Sequence, residues 1–136
     1  MATQPKTVLI VDDNFTVRGA LRAFIERTMG MQVCGSGQNG IEAVQKAKEQ
    51  KPDFILLDLS MPGMNGLDAA AAIRKVAPQA RIVVFTLYCD SLGELLAKAA
   101  GVDLVLSKAD GPAGLLHALE PLLHERPTPR VTALPA

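Results

Sequence analysis

Acidic side chains follow two short apolar segments of this sequence. Asp12 and Asp13 come directly after Thr7–Val11, and Asp58 comes after Phe54–Leu57. Carboxylates that lie close together repel one another, which raises the pKa of some of them unless a cation lies between them. Mg²⁺ favours oxygen ligands, keeps several waters and often combines carboxylates with phosphate oxygens. These acids therefore predict a magnesium site with room for a phosphoryl group.

A hydroxyl and an ammonium group follow two further apolar segments. Thr86 comes directly after Arg81–Phe85, and Lys108 follows soon after Val102–Leu106. A carboxylate such as Asp58 can form an acyl phosphate if the charge on the phosphoryl oxygens is neutralised as the bond forms. Mg²⁺, Lys108 and Thr86 could supply that neutralisation. Each residue alone could be a cap, a turn residue or a surface charge, but the whole set indicates chemistry.

The segments that would position these residues alternate in character along the chain. Short apolar runs alternate with stretches of 3.6-residue periodicity, which is typical of repeated βα units and a doubly wound parallel sheet with helices on both faces. Functional residues in such α/β proteins lie beyond the carboxyl ends of the strands. All the polar residues above should therefore meet at one edge of the sheet. The predicted strands are 7–11, 32–35, 54–57, 81–86 and 102–106.

Composition is that of one ordinary domain. The chain has 136 residues, 49% of them hydrophobic, and equal numbers of basic and acidic side chains, 14 each, so no overall field attracts nucleic acid or a membrane. Neither a signal peptide nor a membrane-spanning run is evident, which predicts a soluble cytoplasmic protein. We predict an N-terminal extension at 1–6, the domain at 7–124, and a flexible, proline-containing tail or linker at 125–136.

Several segments closely resemble the receiver domains of bacterial two-component response regulators. Val8–Asn14, with its acidic pair, is similar to the end of the family's first strand, and Leu57–Gly66 is similar to its phosphoacceptor segment. Thr86 and Ser107–Lys108 complete the set, and the likeness extends over nearly all of Lys6–Leu123. The resemblance implies a flavodoxin-like (βα)5 fold, as in the chemotaxis regulators, with its parallel strands in the order 2-1-3-4-5.

The resemblance also implies a role for each residue of the set. Asp58 would accept a phosphoryl group from a sensor histidine kinase or a histidine phosphotransfer protein. Asp13, Asp58 and the backbone carbonyl of Ser60 would bind Mg²⁺, for which Mn²⁺ could substitute, and Asp12 would act largely through a metal-bound water. Lys108 would pair with Asp58 before phosphorylation and with the phosphoryl group afterwards. The protein would be a signalling domain that catalyses only its own phosphorylation and dephosphorylation, and not an enzyme.

Residues beside the set are implied to control switching and phosphoryl lifetime. Thr86 would move toward the phosphoryl group, and the side chains of Ser60 and Tyr88 would tune dephosphorylation. The sequence departs from the family's pattern at Val105, where a switch aromatic is usual, and at Leu87, where a small residue is common. These departures put the usual coupling between phosphate and binding surface in doubt. Tyr88 could take the place of the moving aromatic.

Two other families fit the sequence less well. Gly35–Gly40 spells GxGxxG, but it does not open the first βαβ unit, and the chain is too short for two mononucleotide-binding halves. Haloacid dehalogenase phosphatases have an Asp-x-Asp nucleophile motif, whereas Asp58 is followed by Leu59-Ser60. One alternative stays open: a receiver-like module that binds a partner without phosphorylation.

The output of such a receiver is harder to predict. Leu106–Ala109 resembles the end of the fifth strand in regulators that carry LuxR-type DNA-binding domains. DNA would be a partner only if an effector domain had been removed, and no membrane partner is predicted. The downstream protein partner is therefore left unassigned.

Overall fold

The structure is a computed structural model that describes residues 5–59, 66–87 and 90–123. Within these residues, strands and helices alternate along the chain. The strands are β1 (Thr7–Val11), β2 (Gln32–Gly37), β3 (Phe54–Leu57), β4 (Arg81–Thr86) and β5 (Leu104–Ser107). The helices are α1 (Phe15–Thr28), α2 (Gly40–Gln50), α3 (Gly66–Val76), α4 (Ser91–Ala99) and α5 (Gly111–Leu123), with a 3₁₀ turn at Lys108–Asp110.

The strands form one parallel sheet in the order β2-β1-β3-β4-β5. This confirms the predicted α/β fold class and its flavodoxin-like strand order. Val11 pairs with Leu57 in the register between β1 and β3, and Thr86 pairs with Ser107 between β4 and β5. The carboxyl ends of neighbouring strands are therefore level with one another.

Both faces of the sheet are covered, as is usual for parallel sheets. Successive residues of a strand point to opposite faces, so Leu9 and Val11 belong to one core cluster and Val8 and Ile10 to the other. The first cluster packs against small or apolar residues of α2, α3 and α4, including Ala43, Ala47, Ala70, Ile73 and Ala97. The second packs against α1 and α5 through Leu21, Ile25, Leu115 and Leu119.

Two strands have bounds that differ from the prediction, and β5 also ends one residue later than predicted, at Ser107. β2 continues to Gly37 because its glycines pair with β1, so Gly35–Gly37 is strand and not a phosphate-binding turn. β5 begins at Leu104 and not at Val102, because the Asp103 side chain accepts the backbone N–H of Ile82 at 2.8 Å. In both places hydrogen bonding outweighs the local residue preference.

Several helix ends are set by side-chain caps. Asn14 and Asn39 accept the backbone N–H groups of Val17 and Glu42, at 3.0 and 2.9 Å, which satisfies groups that helix N-termini leave free. Asp90 caps α4 in the same way. Asn14 follows β1 and Asp90 follows β4. Helices α1 and α4 therefore both begin near the carboxyl edge of the sheet.

Some predicted features fall on residues outside the described ranges. Ser60, Tyr88, the first part of the extension and the tail from residue 124 lie outside the described residues. The domain boundaries at 7–124 stay a prediction. Among the helices of the described ranges, none is long and apolar enough to cross a membrane.

Candidate functional site

Three carboxylates predicted from the sequence meet at the carboxyl edge of the sheet. Asp12 follows β1 and Asp58 follows β3, and the backbone N–H of Asp58 donates to the carbonyl of Val11 at 3.0 Å. Three carboxylate oxygens, one from each of Asp12, Asp13 and Asp58, lie within 4.8 Å of one another. We call this group the acidic pocket. The level ends of β1 and β3 bring its members together.

The members of the acidic pocket differ in exposure. Asp12 and Asp58 are buried, with 2% and 6% of their surface exposed, whereas Asp13 is exposed. Carboxylates are rarely buried without a partner, because the charged form loses its hydration. The two buried acids therefore need compensating groups, and Asp13 lies at the mouth of the pocket.

Lys108 supplies part of that compensation. Its Nζ lies 2.6 Å from Asp12 Oδ2 and 3.3 Å from Asp58 Oδ2. Burial disfavours the ammonium, but the hydrogen bond to Asp12 and the charges of Asp58 and Asp12 outweigh it and raise the pKa of Lys108 above its ordinary value. The ammonium is therefore charged at neutral pH and bridges the two buried acids.

The position of Lys108 follows from the end of β5. Ser107 is the last residue of β5 and pairs with Thr86, and its hydroxyl accepts the backbone N–H of Ala109 at 3.1 Å. This bond caps the 3₁₀ turn Lys108–Asp110. The turn directs the lysine side chain across the end of the sheet toward β1 and β3.

Thr86, the last residue of β4, completes the surroundings of Asp58. Its hydroxyl donates to Asp58 Oδ1 at 3.2 Å, and only 1% of the residue is exposed. The two oxygens of Asp58 thus accept from different groups, Oδ1 from Thr86 and Oδ2 from Lys108. A hydroxyl and an ammonium that contact a carboxylate in this way are also placed to contact a phosphoryl group attached to it.

Asp12 is held by its main chain as well as by its side chain. Its backbone N–H donates to the carbonyl of Gly37 at 3.0 Å, and its Oδ1 accepts the backbone N–H of Asn14 at 2.9 Å. Its carbonyl accepts a hydrogen bond from Arg18 Nη1 at 2.6 Å. Sequence reasoning missed Arg18. Its helical position one turn after Asn14 was the available signal, because helical side chains lean toward the N-terminus.

The predicted tuning residues are spread over the surroundings of the pocket. Val105 is half-buried against the core cluster on the α2–α3–α4 side of the sheet. Leu87 follows β4 and is 74% exposed. Ser60 and Tyr88 are outside the parts of the chain that can be described. The structure thus places Leu87 at the surface and Val105 at the border of the core, and their roles stay predictions.

Comparison with known families identifies the domain. Residues 8–120 match the response regulator receiver domain. The chain belongs to the response regulator receiver family. It is 40% identical over 118 residues to the chemotaxis protein CheY of Thermotoga maritima, covering 84% of this chain and 94% of that protein. It is 35% identical to the nitrate/nitrite response regulator NarL of Escherichia coli, covering 96% of this chain but only 63% of NarL.

Solved structures agree with this assignment. A two-component response regulator of the LuxR family from Aurantimonas superposes with a TM-score of 0.83 at 34% identity, covering 91% of this chain and 89% of that one. A Burkholderia pseudomallei response regulator, solved with a phosphorylated aspartic acid, a calcium ion and citrate, superposes with a TM-score of 0.77 at 33% identity. That match covers 84% of this chain and 66% of the other.

Membership of the family confirms the resemblance seen in the sequence. Receiver domains are signalling modules that bind Mg²⁺ in an acidic pocket and interact with histidine kinases and phosphotransfer proteins. The acidic pocket of this receiver has the donor set that Mg²⁺ prefers, since Asp12, Asp13 and Asp58 present carboxylate oxygens. The residues present therefore fit the ion.

Proposed function

We propose that this receiver accepts a phosphoryl group onto Asp58 in a magnesium-dependent reaction and that phosphorylation switches its binding to a partner. The observation that carries the proposal is the environment of Asp58. The residue is buried, its oxygens accept hydrogen bonds from Thr86 and Lys108, and it shares the acidic pocket with Asp12 and Asp13. A structural carboxylate would not need two further acids beside it.

The charge of the site supports a divalent cation. Three carboxylates of the acidic pocket face the single ammonium of Lys108 within the described part of the chain. We expect Asp13, Asp58 and the Ser60 carbonyl to hold Mg²⁺, or Mn²⁺ in its place, with Asp12 acting through a bound water. When bound, the ion would neutralise the excess negative charge and that of the phosphoryl oxygens.

The protein's own groups account for the rest of the reaction. A carboxylate oxygen of Asp58 would attack the phosphorus of a phosphohistidine, and the phosphorus–nitrogen bond to the donor imidazole would break. Lys108 would transfer its weaker hydrogen bond from Asp58 to a phosphoryl oxygen while its shorter contact keeps it at Asp12. The Thr86 hydroxyl would donate to another phosphoryl oxygen.

Related proteins support the same chemistry. The Burkholderia response regulator carries a phosphorylated aspartic acid together with a calcium ion, and it shares 33% of its residues with this chain over the matched part. We propose a sensor histidine kinase or a histidine phosphotransfer protein as the phosphoryl donor. Binding to DNA is proposed only for a longer protein in which an effector domain accompanies this receiver, since NarL and the LuxR-family regulators are its relatives.

Intact-mass spectrometry can test this proposal without knowledge of the kinase. We expect the protein, incubated with Mg²⁺ and acetyl phosphate, to gain one phosphoryl group, and the gain to disappear in Asp58→Asn and with EDTA. Asp68→Asn is the matched control, because Asp68 is an exposed aspartate in the first turn of α3. It should be phosphorylated like the unmodified protein.

The opposite result has a definite meaning. A protein that gains no phosphoryl group under these conditions, or gains it equally in Asp58→Asn, would contradict the proposal. The phosphorylation-independent interaction module would then be the better interpretation, in agreement with Val105 standing where the family usually has a switch aromatic.

A further inference from the structure

A basic side chain of α1 contacts the acidic pocket at a backbone carbonyl and not at a carboxylate. Arg18 Nη1 donates to the carbonyl oxygen of Asp12 at 2.6 Å. The guanidinium carbon lies 5.7 Å from the centre of the Phe15 ring, and 80% of Phe15 is exposed. Stacking of a guanidinium on an aromatic face is favourable. Arg18 is thus held between the Asp12 carbonyl and the Phe15 ring.

The carbonyl that Arg18 contacts belongs to the peptide group between Asp12 and Asp13. The other polar groups of Asp12 are bonded to Gly37, Asn14 and Lys108. Loss of the Arg18 contact would therefore leave the Asp12 carboxylate in place and release only this peptide group. Movement of this peptide group would change the position of Asp13, the residue that follows it.

Asp13 has few restraints of its own. It is exposed, and its carboxylate forms no hydrogen bond with any residue in the ranges 5–59, 66–87 and 90–123. Its position relative to Asp58 is therefore set by its backbone. The peptide group directly before Asp13 is the one that Arg18 holds. Groups that hold a metal ligand in place without touching the metal commonly affect metal affinity strongly.

We propose that Arg18 is a positioning residue that orients the Asp12–Asp13 peptide and so keeps the Asp13 carboxylate where a divalent cation can bind it together with Asp58. The inference rests on the proposed function, because it assumes that the acidic pocket takes up Mg²⁺. Arg18 forms no hydrogen bond with the carboxylates of the acidic pocket among the described residues. Its effect is transmitted through one hydrogen bond to the main chain.

The charge of Arg18 and its positioning hydrogen bond should have opposite effects on Mg²⁺ affinity. A guanidinium near a cation site repels the cation, so removal of the charge alone should strengthen Mg²⁺ binding. Removal of the positioning hydrogen bond should weaken it. The sign of the change in affinity therefore separates the two effects.

Arg22 provides the matched control. It lies one turn further along α1 and lines the same groove of about 190 Å³ as Arg18, together with Phe15, Val33 and Ser36. It carries the same charge and forms no hydrogen bond with Asp12 in the structure. A weaker Mg²⁺ affinity in the Arg18 variant than in the Arg22 variant thus reports on the contact, because loss of the nearer charge would strengthen binding.

The experiment is a titration of the purified protein with Mg²⁺, followed by amide chemical shifts. We expect Arg18→Met to raise the Kd for Mg²⁺ by about 10-fold, the lower end of the range for groups that orient metal ligands. Arg22→Met should change the Kd by no more than about twofold, because water and salt screen an exposed charge. Arg18→Lys should recover most of the affinity, since it keeps a hydrogen-bond donor for the Asp12 carbonyl.

The outcomes distinguish the inference from the proposed function. Equal Mg²⁺ affinities of Arg18→Met and Arg22→Met would overturn the positioning role, even if Arg18→Met lowered the melting temperature, because a merely structural contact would change stability alone. Absence of Mg²⁺ binding by the unmodified protein would contradict the proposed function instead. If Arg18→Met does not fold, Arg18→Gln against Arg22→Gln decides the question in the same way.

Discussion

The two edges of the sheet each carry a cluster of charged groups, and the clusters differ in composition. At the amino edge, Arg74 pairs with Asp103 at 2.9 Å and donates to the carbonyls of Gly101 and Ala80 at 2.8 and 2.6 Å. Asp103 also accepts the backbone N–H of Ile82. In these contacts one guanidinium meets one carboxylate, and the carbonyls of Gly101 and Ala80 and the N–H of Ile82 have partners.

The carboxyl edge has a surplus of negative charge. Among the described residues, Lys108 faces the three carboxylates of the acidic pocket and pairs with two of them, Asp12 and Asp58. A balanced cluster needs no further ion and joins the loops around it. An unbalanced cluster is most stable when a cation enters, so its composition indicates binding and not only folding. The comparison explains why only one edge is assigned a function.

The largest expected effect on folding lies at the balanced edge. Arg74→Met should lower the free energy of unfolding by about 3 kcal/mol, because it removes the guanidinium that lies 2.9 Å from the mostly buried Asp103 carboxylate. Urea denaturation would measure the change, with Lys75→Met as the control, since Lys75 is an exposed neighbour on α3. Mg²⁺ affinity should stay the same. A large loss of Mg²⁺ binding in Arg74→Met would show that the two edges are coupled.

A smaller and ion-dependent effect is expected at the unbalanced edge. Lys108→Met should lower the free energy of unfolding by about 2 kcal/mol in buffer without Mg²⁺, because two buried carboxylates then face each other without an ammonium. Added Mg²⁺ should recover part of this loss and should stabilise the variant more than it stabilises the unmodified protein. Equal stabilisation of both proteins by Mg²⁺ would argue against the charge imbalance.

The smallest expected effect is that of pH on the stability that Lys108 contributes. The folded state raises the pKa of Lys108 because Asp12 and Asp58 outweigh the effect of burial, so its contribution is fully present below the unfolded-state pKa. The difference in unfolding free energy between the unmodified protein and Lys108→Met should therefore be constant from neutral pH to about pH 9. It should shrink only as the pH rises through the folded pKa, above the ordinary lysine value of about 10.4. A decline already near neutral pH would contradict this account.

Much of the site could be predicted because it depends on strand ends. Apolar runs marked the strands, and polar residues at their carboxyl ends had to meet once the sheet was parallel. Asp12, Asp13 and Asp58 were therefore expected to lie together, with Thr86 and Lys108 beside them, and the structure brings them together. The roles of these residues in phosphoryl transfer stay a proposal.

Some features lay beyond the sequence because they depend on distances between elements. The sequence placed Lys108 beside Asp58, yet its shorter contact is with Asp12. It contained no sign that Arg74 would meet Asp103, which lies 29 residues further along the chain. Such contacts depend on how far a side chain extends across packed helices and loops, which local periodicity does not record.

The amino-acid sequence by itself determined the alternation of strands and helices and the residue types at the carboxyl ends of the strands, because hydrophobic periodicity is a local property. The order of the strands was implied only by the resemblance to receiver domains. The tertiary structure alone decided which carboxylate Lys108 approaches most closely and that Arg18 holds the peptide before Asp13. These contacts join groups from separate elements. Their distances are set only when helices and strands pack into one core.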